Sequence, residues 1–258
     1  MNKLATYFSF VRFSHTVFAL PFALTGALLA WREQPFRWTT VGWIVLCMVS
    51  ARSAAMGFNR IVDARYDALN PRTAMRELPR GAMSAVEATA FVVLSSIVFI
   101  YGAWRLSPLC LALSPVALAL VFWYSLAKRY TAYTQLFLAL AMAGAPVGGF
   151  DVLYACQDFE FDRAQGLRSI PTRFGIATSI RVSRIMHVAT VVFMAALWRA
   201  ADLPALYLAG VAVVAVLLAY EQSLVSDDDL SQVKKAFDLN GWVGIVYFLS
   251  TAASLYLA

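Results

Sequence analysis

Residues 59–81 read NRIVDARYDALNPRTAMRELPRG, which puts three acidic residues and five arginines into 23 positions. The sequence on either side is apolar. Of 258 residues, 61% are hydrophobic and only 14% charged, with a mean hydropathy of +0.67, whereas a soluble domain is nearer half apolar. Such a chain has lipid as its solvent, and lipid admits only helices or closed barrels because every backbone polar group must be satisfied internally. The apolar runs are too continuous for the alternating pattern of barrel strands. The fold class is therefore all-α, a polytopic transmembrane helix bundle forming one domain over residues 1–258.

A spanning helix needs about 20 apolar residues. Segments of that kind run at about 14–31, 39–59, 85–104, 107–127, 134–150, 179–199, 203–222 and 237–257, eight in all. Pro21, Pro115 and Pro146 fall inside them and are expected to kink rather than break them. Cys47, Cys110 and Cys156 show no paired spacing and read as small core residues. The net charge of +6 lies in short loops between apolar runs, which marks membrane topology and excludes a nucleic-acid partner.

Arg60, Arg65, Arg72, Arg76 and Arg80 follow the second span; Arg163, Arg168, Arg173, Arg181 and Arg184 follow the fifth. Both sets should face the cytoplasm. Spans three and four return the chain to Lys128 and Arg129 inside, so a single fifth span would carry the second arginine set outside. One crossing is missing near residues 149–151. TQLFLALAMAGAPVGGFDVLYACQD, from Thr134 to Asp158, is long enough for one span or for two half-helices broken at Pro146, Gly148 and Gly149. A re-entrant hairpin there, or a helix absent from this chain, would restore the parity.

Asn59, Asp63 and Asp67 recur every four residues and so share one helix face, with Arg52 seven residues earlier on the same face. A buried arginine in a membrane helix faces the bundle interior and marks a functional position. A second acidic cluster, Asp151, Asp158 and Asp162 in DVLYACQDFEFD, repeats the seven-then-four spacing of Arg52, Asn59 and Asp63. Two carboxylate sets across one cavity repel each other unless a cation lies between them. Hard oxygen ligands select Mg²⁺ or Ca²⁺, and Mg²⁺ takes one or two carboxylates plus the phosphates of a substrate. The clusters thus read as a magnesium-diphosphate site, with Arg72, Arg76, Lys128, Arg129, Arg168 and Arg173 neutralising the phosphates. Arg60, Arg80, Arg163, Arg181 and Arg184 read as positive-inside anchors.

The stretch NRIVDARYDALNPRTAMRELPRG resembles the first aspartate-rich motif of the UbiA superfamily of intramembrane prenyltransferases, and DVLYACQDFEFDRAQGLRSIPTRFG the second. FVRFSHTVFALPFAL and WYSLAKRYTAYTQLFLALAMAGAPVGG resemble its 4-hydroxybenzoate polyprenyltransferase branch. The resemblance implies a nine-helix bundle in the bacterial inner membrane, its active site toward the cytoplasm. It implies Mg²⁺-dependent transfer of a polyprenyl group from its diphosphate to a small aromatic acid, 4-hydroxybenzoate for ubiquinone or a related acceptor for menaquinone. By position, Asn59, Asp63, Asp67, Asp158 and Asp162 match the metal-binding motif residues, with Asp151 one helical stretch earlier, and Lys128 and Arg129 match a basic pair after the fourth helix. Arg52 is expected to pair with the acceptor's carboxylate. No obligate protein partner is implied. The family pattern has two helices between the KRYT-like segment and the second motif, so this chain is about 30 residues short there, one loop plus one span. A membrane transporter and a non-catalytic relative are the rival readings from other classes.

Overall fold

The computed structural model describes residues 3–11, 20–32, 34–134 and 145–257. Among the described residues every regular element is helical, in two compact units: Met1–Val17 with Arg37–Tyr130, and Phe18–Phe36 with Thr131–Ala258.

The first unit contains α1 (Lys3–Phe10), α3 (Trp38–Leu69), α4 (Ala85–Leu106) and α5 (Pro108–Ala127); α2 (Leu20–Ala30) belongs to the second. At 1.5 Å per residue the 32-residue α3 is about 48 Å long, well beyond the ~30 Å hydrocarbon core, so its charged end projects past the apolar part. Ser84 starts α4 with a capping box, its side chain accepting from the Glu87 amide while Glu87 reaches back. Ser107 caps α5, with Pro108 in the first turn where no amide is needed. Helix α3 packs chiefly on α4 and also on α5. The approach to α4 needs Gly57, since a Cβ there would meet Val92 Cγ2 at 2.7 Å. Phe10, Val11, Met83 and Ala88 form the core beneath α1.

The second unit adds α6 (Ala145–Ala155), a 3-10 turn (Cys156–Asp158), α7 (Phe159–Ala164), α8 (Ile170–Phe174), α9 (Ile176–Ala200), α10 (Leu206–Ser223) and α11 (Val233–Tyr256). Its main core gathers Met194, Leu203, Tyr207, Val211, Val214, Leu218, Val243 and Tyr247, and the fully buried Tyr207 hydroxyl donates to the Met194 carbonyl at 3.2 Å.

Among the described residues five helices are long and apolar enough to cross a membrane, namely α3, α4, α5, α9 and α10, matching the second, third, fourth, sixth and seventh expected spans. Of the first expected span the structure describes α2, and most of the fifth, 134–150, lies outside the described residues. The eighth is α11, 24 residues long and carrying Lys234, Lys235 and Asp238 in its first two turns.

Candidate active site

The first half of the site grows from the projecting end of α3. Four-residue spacing puts Asn59, Asp63 and Asp67 on one face, and both aspartates are buried, at 3% and 7% exposure. Two carboxylates near a helix C-terminus are unfavourable, because burial and the negative end of the helix dipole both oppose the charge. The chain answers with cations. Lys128, the C-cap of α5, donates to Asp63 Oδ2 at 2.6 Å, and Asn59 Nδ2 donates to the same oxygen at 3.2 Å. Arg129 Nη2 stands 3.8 Å from Asp63 Oδ1. That guanidinium is tied down elsewhere, donating to the Val62 carbonyl at 2.6 Å and lying over the Tyr66 ring at 5.6 Å.

Asp67 is held by Arg76, whose Nη1 donates to both carboxylate oxygens at 2.6 and 2.8 Å. Local sequence explains how a residue nine positions later reaches back. Pro71 cannot continue the helix, the Arg72 amide donates to Asn70 Oδ1 at 3.0 Å in an Asx turn, and Thr73 Oγ1 donates to the Asp67 carbonyl at 3.1 Å. The exposed Arg72 side chain lies on this same turn. Two turns further into α3, Arg52 is half-buried, and its Nε is buried with no hydrogen-bond partner among the described residues. Arg60, expected as a surface anchor, is instead 4% exposed, and its Nε donates to the Phe10 carbonyl at 3.4 Å, tying α1 to α3.

The second motif is built differently. Asp151 lies on α6, but the helix gives way to the 3-10 turn at Cys156–Asp158, where Asp158 has φ −98° and ψ 10°. The seven-residue step from Asp151 to Asp158 therefore does not run along one α-helix, so the repeated spacing of the second cluster does not translate into the shared helix face of the first. Asp158 becomes the N-cap of α7, and Asp162 follows in its first turn. That helix ends in a Schellman motif: the Leu167 amide donates to the Asp162 carbonyl at 2.8 Å, the Gly166 amide donates to the Arg163 carbonyl at 3.2 Å, and Gly166 sits at φ +66°. Ser169 then caps α8. These reversals gather Arg163, Arg168 and Arg173 around one pocket of about 270 Å³, lined also by Gly166, Leu167, Thr172 and Ala132. Arg168 and Arg173 were expected as anion ligands; Arg163 was expected as an anchor. Its signal was the five-residue step joining the three arginines, which matches no helical face and marks a folded loop.

The donor set of the first motif fits a hard divalent cation. Asp63 and Asp67 supply carboxylate oxygens, Asn59 an amide oxygen, and the buried Asp63 Oδ1 accepts no hydrogen bond. Among the described residues no three His, Cys, Asp or Glu side chains converge as a metal cage. Asn59, Asp63, Asp67, Lys128, Arg129, Arg72, Arg76 and Arg52 belong to the first unit, and Asp151, Asp158, Asp162, Arg168 and Arg173 to the second.

One polar cluster escaped the sequence reading. Glu221 on α10 is fully buried, facing Asn240 on α11, and among the described residues neither its carboxylate oxygens nor Asn240 Oδ1 has a partner at ordinary hydrogen-bond geometry. Next along α10, Gln222 Nε2 donates to Ser183 Oγ at 2.8 Å and contacts His187 Nδ1 at 3.0 Å. The imidazole packs against α6 at Gly149, where a Cβ would strike the ring.

A family model described as the UbiA prenyltransferase family matches residues 19–152 and 149–250. The chain is 32% identical over 231 residues to 4-hydroxybenzoate octaprenyltransferase of Enterobacter sp. (strain 638), covering 80% of this chain and 79% of that one. With the Citrobacter koseri enzyme of the same name it is 30% identical over 288 aligned positions, covering 98% of this chain and 96% of that one. Since this chain has 258 residues, at least 30 of those positions, the difference between 288 and 258, face gaps in it. Among solved structures, the apo UbiA homolog from Aeropyrum pernix K1 superposes with a TM-score of 0.83 at 32% identity, covering 94% of this chain and 98% of that one. A UbiA homolog from Archaeoglobus fulgidus bound to GPP and Mg²⁺ shares the fold at 17% identity, with a TM-score of 0.70 over 96% of this chain and 99% of that one.

Proposed function

The chain belongs to the UbiA prenyltransferase family, and on that premise we propose that it transfers a polyprenyl group from polyprenyl diphosphate to an aromatic acid, 4-hydroxybenzoate on the route to ubiquinone. The observation that carries this reading is the projecting end of α3, where buried Asp63 and Asp67 sit among Lys128, Arg129 and Arg76. The names of the relatives support the acceptor, and the GPP and Mg²⁺ bound to the Archaeoglobus fulgidus homolog support the diphosphate and the metal.

In this reading Asn59, Asp63 and Asp67 of the first motif and Asp158 and Asp162 of the second are the metal ligands, with Asp151 one helical stretch earlier, and Mg²⁺ would be held against the diphosphate. Magnesium, when bound, supplies positive charge that stabilises the departing diphosphate. Arg72, Arg76, Lys128, Arg129, Arg168 and Arg173, joined by Arg163, bind the phosphate oxygens and take up the charge that grows as the allylic C–O bond breaks. A ring carbon of the acceptor then forms the new C–C bond and releases its proton. Apolar helix walls keep water from the allylic cation, and the lipid-facing bundle accommodates the prenyl tail. Arg52 orients the acceptor through its carboxylate.

The reading includes a missing crossing near 149–151. The two family-model matches that meet at 149–152 and the 30 or more unmatched positions support it. In the same reading both motifs face the cytoplasm from the inner membrane, which the arginine-rich loops support. The test supplies membranes containing the protein with polyprenyl diphosphate and 4-hydroxybenzoate and analyses lipid extracts by mass spectrometry. Prenylated acid with stoichiometric diphosphate release, both abolished by chelation, is expected; substrate flux without chemistry would decide for a transporter, and neither for a non-catalytic relative.

A further inference from the structure

Each carboxylate of the first motif is already neutralised, and by cations that a diphosphate also needs. Asp67 is held by both oxygens in the Arg76 guanidinium, and Asp63 by Lys128 at 2.6 Å. Magnesium approaching alone must displace these cations and then stand beside them, a like-charge arrangement in a partly desolvated site. A diphosphate approaching alone is drawn to Arg76 and Lys128 but meets the two carboxylates they cover. When both arrive, every charge finds an opposite: carboxylates to metal, guanidinium and ammonium to phosphate.

The side chains are built for such an exchange. The carboxylates stay inside, at 4% and 9% exposure, whereas the Lys128 and Arg76 side chains are 26% and 20% exposed on long flexible stems. Arg129 is 29% exposed but is tied down by the Val62 carbonyl and the Tyr66 ring, so it is not part of the exchange. Resting on the metal-diphosphate reading above, we infer that Arg76 and Lys128 are exchange partners, held by Asp67 and Asp63 until metal and diphosphate enter together, so that each ligand binds weakly alone and strongly with the other. They act as positioning residues for the carboxylates and as diphosphate ligands in turn.

The test is equilibrium binding to the full chain in detergent micelles, with Mn²⁺ as a spectroscopically visible probe and inorganic pyrophosphate as the diphosphate. Free Mn²⁺ is corrected for its complex with pyrophosphate, and folding of each variant is checked by its thermal melt. The wild type is expected to bind Mn²⁺ at least about tenfold more tightly with saturating pyrophosphate than without it. Arg76→Gln, and independently Lys128→Gln, should bind Mn²⁺ alone about five- to tenfold more tightly than wild type and pyrophosphate alone more weakly. Arg76→Lys keeps the charge on a shorter side chain and should fall between. Arg65→Gln removes the same charge from an exposed position on α3 two residues from either aspartate, and should change Mn²⁺ binding by less than about twofold. Unchanged Mn²⁺ binding in both Gln variants, or an equal gain in Arg65→Gln, overturns the exchange. Wild type that binds both ligands without coupling also overturns it and leaves the metal-diphosphate reading standing; wild type that binds neither overturns both.

Discussion

Removing Lys128 should destabilise the protein more than removing the charge it covers. Lys128→Met leaves the Asp63 carboxylate at 3% exposure with Asn59 at 3.2 Å and Arg129 at 3.8 Å as its remaining partners. Stranding one member of a buried pair costs about 3–5 kcal/mol; the two surviving partners and the quarter-exposed ammonium reduce that here to about 2 kcal/mol. Asp63→Asn strands only an ammonium that reaches water and keeps the amide in hydrogen-bonding range of Asn59, so its cost is about 0.5–1 kcal/mol. The double variant strands no charge, and should be more stable than Lys128→Met alone. In thermal melts of detergent-purified protein, at about 2–4 °C per kcal/mol for a chain of this size, Lys128→Met should lose about 4–8 °C and the double variant recover about half of it. Two equal single-variant losses, or a double variant whose loss is their sum, would refute the buried-pair geometry.

The other expectations concern different parts of the chain. Arg52→Met should raise the KM for the aromatic acid at least about tenfold, which is 1.4 kcal/mol, and leave that for polyprenyl diphosphate unchanged; steady-state kinetics with each substrate varied will show it, and an unchanged acceptor KM rejects the role. Gly149→Ala should cost about 1–3 kcal/mol by thermal melt, because the His187 ring it strikes is held by Gln222, whereas Gly42→Ala on α3, where a Cβ meets nothing within 4 Å, should stabilise by up to about 1 kcal/mol. In a background lacking Cys47, Cys110 and Cys156, single cysteines at exposed Met75 and Gln165 should both react with an impermeant thiol reagent applied at the cytoplasmic face. Labelling from opposite faces would rule out the proposed common side for the two motifs.

Hydropathy placed α4 and α5 almost to the residue, because Ser84 with Glu87 and Ser107 with Pro108 punctuate the apolar runs. The shared face of Asn59, Asp63 and Asp67 was legible for the same reason: it depends only on helical repeat. What holds those carboxylates was not. Lys128 lies 65 residues from Asp63, and only tertiary packing of α5 on α3 brings it there. Arg76 was named as a phosphate ligand, but its bidentate hold on Asp67 depends on the Asn70–Pro71 turn. Glu221 left no trace because YEQS closing an apolar run reads as a solvated helix end, and only the packing of α10 against α11 buries it.

The two acidic motifs share a spacing in sequence but place their carboxylates toward opposite ends of a helix. Asp67 occupies the last turn of α3, where the helix dipole opposes an anion and which holds no basic residue of its own. Burial adds to the penalty, so the cations must come from outside the helix, and they do. In the second motif the 3-10 turn stops one helix and starts another, which moves Asp158 to an N-cap and Asp162 to a first turn, the end where a negative charge gains about 0.3–1 kcal/mol. Both side chains are only half-buried, and Asp158 makes no capping hydrogen bond with its carboxylate. A continuous α-helix through Cys156–Asp158 would forgo that N-terminus and carry the acidic run deeper into a helix. The break at Cys156–Asp158 is therefore what puts the second set of carboxylates at a helix N-terminus, just before the loop that gathers Arg163, Arg168 and Arg173 about one pocket.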